Sequence, residues 1–294
     1  MAQLIVLNEL ADVALVDVAS GLAEAKTLDL SQAKPIYRSD VKVIGGVEPS
    51  LIKGADLVVI TAGAVRKPGM SRDELLETNA KIVAQCARAT KKYAKNSILI
   101  IVTNPLDAMT WLAYKISGFE KNRVMGMAGV LDSARFCYFL SEELGASVKD
   151  LNAMVLGGHG DDMVPLLSTA SLKGQRISKL IPKDRLDKII ERTRRAGAEI
   201  VEKMKTSAFY SPSASIFEMI RAIFNDEKRL LACSAILSGE YGLKDIAFGV
   251  PCVLGKKGVE KIVEFELSKK EKQELNKSAR RVKNLIEKLS SFKL

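Results

Sequence analysis

The chain contains a single histidine, His159, within Gly157-Gly158-His159-Gly160-Asp161-Asp162. Imidazole takes and releases a proton near neutrality, which suits a general acid or base, and flanking glycines let backbone or ligand approach closely. Any reaction that needs imidazole therefore has one candidate. A catalytic zinc usually takes several His or Cys ligands, so a metal centre is disfavoured. No G-x-S-x-G elbow marks a serine hydrolase. Asp161 is the nearest carboxylate in sequence, and spacing alone does not choose between it and Asp132. Asp132 and Arg135 stand three apart in Leu131-Asp132-Ser133-Ala134-Arg135, on one face of a helix. Arg66 and Arg72 lie in Ala62-Gly63-Ala64-Val65-Arg66-Lys67-Pro68-Gly69-Met70-Ser71-Arg72, a Gly/Pro loop running into a helix. Each arginine alone suits a surface ion pair. Together with a Gly-flanked histidine they suit a site for a carboxylate substrate, because guanidinium forks grip carboxylates with two bonds.

These side chains need elements to hold them. The first half alternates apolar runs of strand length with helical patterns, as in βαβ units of a parallel sheet. Val13–Val18, Leu57–Ala62 and Ile98–Val102 read as strands, nearly continuous in Val, Ile and Leu because helices cover both faces. Residues 21–33, 72–94 and 107–116 read as helices, and 124–127 as a further strand. Beyond residue 129 the pattern gives a helix over 131–144, a strand over 152–156 and helices over 183–205, 216–224 and the C-terminal segment. The expected fold is α/β, a doubly wound parallel Rossmann-type sheet over residues 1–128, with an α+β substrate lobe over 129–294. Asp17 closes the strand that begins at Val13, where such a fold receives the adenosine ribose hydroxyls and where its charge repels a 2′-phosphate.

Composition excludes other classes. Hydrophobic residues are 47% and charged residues 27%, a globular balance. The net charge of +10 raises nucleic acid as a partner, but it is local: residues 173–205 and 268–294 each carry a net +6. In the latter, Leu275, Val282, Leu285, Ile286 and Leu289 recur at helical spacing, which gives a solvated basic face on an amphipathic helix. No aromatic residues interleave with these runs to stack on bases, so no nucleic-acid partner is expected. No apolar run approaches the roughly 20 residues that span a bilayer, and the N-terminus lacks the features of a signal peptide. Four scattered cysteines (Cys86, Cys137, Cys233, Cys252) form no C-x-x-C, which fits a reducing cytoplasm.

The chain resembles the lactate/malate dehydrogenase family, particularly its lactate-dehydrogenase-like malate dehydrogenases. The likeness rests on Val16-Asp17, the segment Thr61 to Arg72, Val102-Thr103-Asn104-Pro105, Leu131 to Phe136, Gly158-His159-Gly160-Asp161 and Gly239-Glu240-Tyr241-Gly242. It implies NAD as cofactor and interconversion of malate and oxaloacetate by hydride transfer. His159 would move the proton, with Asp132 orienting it and Arg135 clamping the C1 carboxylate. Arg72 would polarise the carbonyl oxygen. Arg66 would pair with a second carboxylate, which separates malate from lactate as substrate, since a buried carboxylate without a partner is costly. Asp17, Thr61, Ala62, Gly63, Asn79, Val102 and Asn104 would line the dinucleotide, Asn104 also touching substrate. A homodimer or homotetramer is expected, with no membrane partner. The alternatives are a lactate dehydrogenase, or a non-catalytic remnant acting through protein contacts.

One departure qualifies the resemblance. Family chains open with a strand and a G-x-G-x-x-G turn, yet residues 1–16 contain no glycine, and Ala2–Leu10 reads as the helix that should follow that turn. Without that strand and turn, two strand edges would be unpaired and the pyrophosphate would lose its cradle of backbone N–H groups. The expectation is a poorly folding chain with weak NAD binding or none, and a start codon assigned too far downstream.

Overall fold

The structure, a computed structural model, describes residues 1–64 and 71–294, and Arg72 only in its backbone. Arg66 lies outside the described residues. In chain order the first half holds α1 (Ala2–Leu7), β1 (Val13–Val16), α2 (Leu22–Tyr37), β2 (Val43–Gly46), β3 (Leu57–Ile60), α3 (Arg72–Tyr93), β4 (Ile98–Ile101), α4 (Leu106–Ser117) and β5 (Val124–Gly126). The second half holds α5 (Gly129–Leu144), β6 (Leu151–Asn152), β7 (Val155–Leu156), β8 (Val164–Pro165), β9 (Ser171–Leu172), β10 (Gln175–Arg176), α6 (Lys183–Met204) and α7 (Tyr210–Phe224). It closes with β11 (Arg229–Ser238), β12 (Lys244–Gly255), β13 (Gly258–Ile262) and α8 (Lys269–Leu289).

The main sheet has the order β13-β12-β11-β5-β4-β3. Strands β3, β4 and β5 run parallel, and β11, β12 and β13 continue the sheet antiparallel. All four residues of β4 are buried, as expected for a parallel strand covered on both faces. A separate parallel pair joins β1 to β2. Among the described residues β1 pairs only with β2 and β3 only with β4, so each has one edge without a ladder.

Several boundaries differ from the sequence reading. The first strand stops at Val16 because Asp17 turns the chain, its Oδ1 accepting the Ala19 N–H at 2.9 Å. The single strand expected over 152–156 is two short strands in different sheets, β6 against β9 and β7 against β8. The chain changes partner between them, and the Met154 carbonyl accepts the Leu166 N–H at 2.9 Å. The helix expected over 21–33 continues to Tyr37, and the one expected from 216 begins at Tyr210. The long β11–β12 hairpin was not expected, and Gly239-Glu240-Tyr241-Gly242 is its connection.

Two apolar cores result. The larger gathers the sheet with α3, α4, α7 and α8, and the smaller lies among α5, α6 and the short strands. Helix α5 serves both, with Leu131 in the first and Phe136, Phe139 and Leu140 in the second. The basic helix α8 turns Leu275, Val282, Ile286 and Leu289 inward, while Leu285 is half-buried and the lysines stay outside.

Candidate active site

Parallel pairing puts the C-terminal ends of β3, β4 and β5 along one edge of the sheet. These ends lead into Thr61-Ala62-Gly63, into Val102-Thr103-Asn104, and into α5. In open α/β sheets ligands bind at this edge. Helix α3 starts there with a capping box: the Ser71 hydroxyl accepts the Glu74 N–H, and the Glu74 carboxylate accepts the Ser71 N–H at 2.7 Å. Its buried stripe, Leu76, Ala80 and Val83, carries Asn79 inward as well.

Asn79 uses both ends of its amide on backbone. Its Oδ1 accepts the Ala64 N–H at 2.7 Å, and its Nδ2 donates to the Asn104 carbonyl at 2.7 Å. It therefore ties the two loops together from behind. Thr103 does the same, its hydroxyl donating to the Ala62 carbonyl at 2.6 Å. Gly63 fits only because it has no side chain: a Cβ there would lie 2.7 Å from Thr103 Cγ2. Thr61, Ala62, Gly63 and Asn104 are exposed, and Val102 is half-buried. Asp17 stands at the end of β1, half-exposed, with one oxygen engaged by the Ala19 N–H.

His159 meets Asp132, not Asp161. The ring Nδ1 lies 2.8 Å from Asp132 Oδ2, across 27 residues of sequence, while Asp161 is exposed. Asp132 is buried in the first turn of α5, where the helix dipole favours a negative charge. Its Oδ1 is 3.3 Å from Arg135 Nη1, one turn along the same helix. One carboxylate thus orders both an imidazole and a guanidinium. The His159 side chain is 15% exposed, and its other ring nitrogen is Nε2. That nitrogen has no hydrogen bond among the described residues. Arg135 is similarly half-hidden, and its Nε is buried with no hydrogen-bond partner among the described residues.

The loop bearing His159 is held by three successive backbone N–H groups. Gly157 donates to the Gly249 carbonyl of β12 at 2.9 Å, and Gly158 donates to Ser278 Oγ of α8 at 2.8 Å. His159 donates to Asp107 Oδ2 of α4 at 2.8 Å. Gly157 has φ of +89°, a conformation that side chains rarely adopt. Sequence reasoning missed Asp107 and Ser278. The available signal for Asp107 was a charged residue inside Leu106-Asp107-Ala108-Met109-Thr110, an otherwise uncharged helical stretch.

Burial is the strongest influence on His159 and opposes its charged form. The charge of Asp132, its hydrogen bond and the charge of Asp107 together outweigh burial and the opposing charge of Arg135, and the imidazole is held above its ordinary value. Among the described residues, no group of three or more His, Cys, Asp or Glu is arranged to hold a metal ion. No helix among them is long and apolar enough to cross a membrane. All four cysteines are free thiols.

Comparison with known proteins places the chain. Residues 1–126 match the model of the lactate/malate dehydrogenase NAD binding domain, and residues 129–293 that of the family's alpha/beta C-terminal domain. The chain belongs to the lactate/malate dehydrogenase family. It is 50% identical to a malate dehydrogenase of Geotalea daltonii, over 98% of this chain and 94% of that one. A malate dehydrogenase of Roseiflexus sp. is also 50% identical, over 97% and 93%. Among solved structures, the malate dehydrogenase of Cryptosporidium parvum superposes with a TM-score of 0.96 at 41% identity, covering 99% of this chain and 95% of that one. The lactate dehydrogenase of the same organism, solved with lactic acid and nicotinamide adenine dinucleotide, gives 0.96 at 39% identity, covering 99% and 94%. The fold alone does not separate the two substrates.

The residues present suit the nicotinamide half of such a cofactor. The ends of β3 and β4 offer an exposed backbone edge, kept low by Gly63 and braced by Asn79 and Thr103. At the adenosine end, Asp17 has a second carboxylate oxygen without a hydrogen bond among the described residues, suited to ribose hydroxyls.

Proposed function

We propose that this chain interconverts malate and oxaloacetate with NAD, His159 carrying the proton. The observation that carries the reading is the 2.8 Å contact of His159 Nδ1 with buried Asp132, which also holds Arg135. Asp132 accepts from Nδ1–H in both charge states of the ring, so Nε2 is the nitrogen that gains and loses the proton. In reduction His159 enters as imidazolium and gives its Nε2 proton to the 2-oxo oxygen of oxaloacetate. In oxidation the neutral ring takes the proton of the malate hydroxyl at the same atom. When bound, the nicotinamide supplies or accepts the hydride. Thr61, Ala62, Gly63, Val102 and Asn104 would hold it from the sheet edge, with Asp17 on the adenosine ribose and Asn79 fixing the loops.

Arg135 receives the C1 carboxylate, its charge held in place by Asp132. Arg72 would polarise the carbonyl oxygen, where negative charge develops. Arg66 pairs with the second carboxylate and selects the dicarboxylic acid over lactate. Residues 1–128 form the dinucleotide-binding lobe and 129–294 the substrate lobe. The four free thiols favour the cytoplasm, and the family resemblance favours a homodimer or homotetramer. Steady-state kcat/KM for oxaloacetate and pyruvate with NADH tests the substrate assignment. Oxaloacetate is expected to lead by about 10²-fold or more, and faster turnover of pyruvate would reject it.

A further inference from the structure

We propose that Asp107 is a second carboxylate of the proton-transfer machinery, a positioning residue that fixes the His159 backbone and whose negative charge favours the protonated ring. This rests on His159 being the proton carrier. Asp107 sits in the first turn of α4, two residues after Pro105, and is 4% exposed. Both of its oxygens are engaged as acceptors: Oδ2 takes the His159 N–H at 2.8 Å, and Oδ1 takes the Ser234 hydroxyl of β11 at 2.6 Å. Two donors on two oxygens suit the carboxylate, whose buried charge would be costly without them.

The geometry gives Asp107 a part that Asp132 does not play. Asp132 orients the ring through Nδ1, whereas Asp107 holds the backbone of the same residue. His159 is thereby held at its ring and at its backbone. Asp107 also joins the two sides of the site, because α4 begins immediately after the Asn104 loop that Asn79 braces. A shift of α4 would carry both the Asn104 loop and the His159 backbone with it.

Burial holds the Asp107 carboxyl above its ordinary value and the charge of Asp132 adds to this, while the bonds from Ser234 and His159 and the charge of His159 oppose it. Among the described residues the other charges around His159 are few. Asp132 and Arg135 face it from α5, while the pairs Asp162–Arg281 and Arg194–Glu274 lie at the partly exposed flank of its loop. Asp107 is the only charged side chain that α4 turns into this cluster among the described residues.

The test uses the full chain labelled with 13C,15N-histidine. With only one histidine, the spectrum holds one imidazole, whose titration midpoint is read directly, without cofactor or substrate. Asp107→Asn keeps the shape and an acceptor for the His159 N–H but removes the charge. Its midpoint is expected to fall by about one pH unit relative to the parent chain. Ser234→Ala removes a donor that sustains the charge and is expected to lower the midpoint by a smaller amount. In turnover, Asp107→Asn is expected to lose kcat by about tenfold with KM for oxaloacetate little changed. A folded Asp107→Asn chain with the parental midpoint would overturn the proposal, since a purely structural brace would leave the midpoint in place. If that variant fails to fold, an unmoved midpoint in Ser234→Ala overturns it instead. Because the titration needs no turnover, it reads Asp107 even if the substrate assignment fails.

Discussion

The acid–base cluster and the nucleotide edge are built by opposite means. Among the described residues around His159 the working groups are side chains held by other side chains, and Asp132 and Asp107 are buried with donors on their oxygens. Along Thr61-Ala62-Gly63 the working surface is exposed backbone, braced from behind by Asn79 and Thr103, and among the described residues the strand leading to it has one unpaired edge. Proton transfer demands a fixed atom at a fixed distance, so the protein invests buried polar bonds there. A long dinucleotide demands room along an edge, and small residues provide it.

The largest expected effect comes from removing the proton carrier. His159→Asn should lower kcat for oxaloacetate reduction by about 10³-fold or more while Tm stays within a few degrees. Retention of a tenth of the activity would end the contrast drawn above, since the cluster would then not be the chemical centre. Asp132→Asn comes next, at about 10²-fold or more in kcat, because Asn can hold the ring in the wrong tautomer. Asp132 also raises the proton affinity of His159, so the pH midpoint for oxaloacetate reduction should move down. A midpoint that stays in place would separate orientation from charge.

At the nucleotide edge the effect should be smaller and of another kind. Gly63→Ala would set a methyl group 2.7 Å from Thr103 Cγ2, an overpacking costing about 1–3 kcal/mol. Tm should drop by a few degrees and KM for NADH should rise, with the His159 titration unmoved. A change in that titration would show that the two regions are coupled more tightly than their construction suggests. The smallest effect is on stability against pH. Folded His159 binds its proton more strongly than the ordinary value of 6.5, so its contribution to stability is fully present below that pH and is lost as pH rises through the folded value. Chemical denaturation at a series of pH values should show this decline in the parent chain and not in His159→Asn.

Much of this was readable from residues alone, for identifiable reasons. Strands β3 and β4 stood out because Leu57–Ile60 and Ile98–Ile101 are unbroken apolar runs. The β11–β12 hairpin did not, because strands such as Ala232-Cys233-Ser234-Ala235 are buried on both faces and made of small residues, without a period of two. His159 was marked by its glycines and its solitude. Its partner was not, since local spacing points to Asp161 as readily as to Asp132; only the family resemblance favoured the residue that the fold brings into contact. Asp107 was hidden by the usual rule that charged residues face water, which fails where two donors converge on one carboxylate.

The bonds that hold the His159 loop reach far along the chain: 52 residues to Asp107 and 120 to Ser278, with a further 127 from Asp107 to Ser234. Contacts of such span form only after much of the chain has closed on itself. Proton-transfer competence is therefore a late event in folding. In refolding, helical signal should return first, and the single histidine should acquire its shifted titration only when α4, β11 and α8 have all docked.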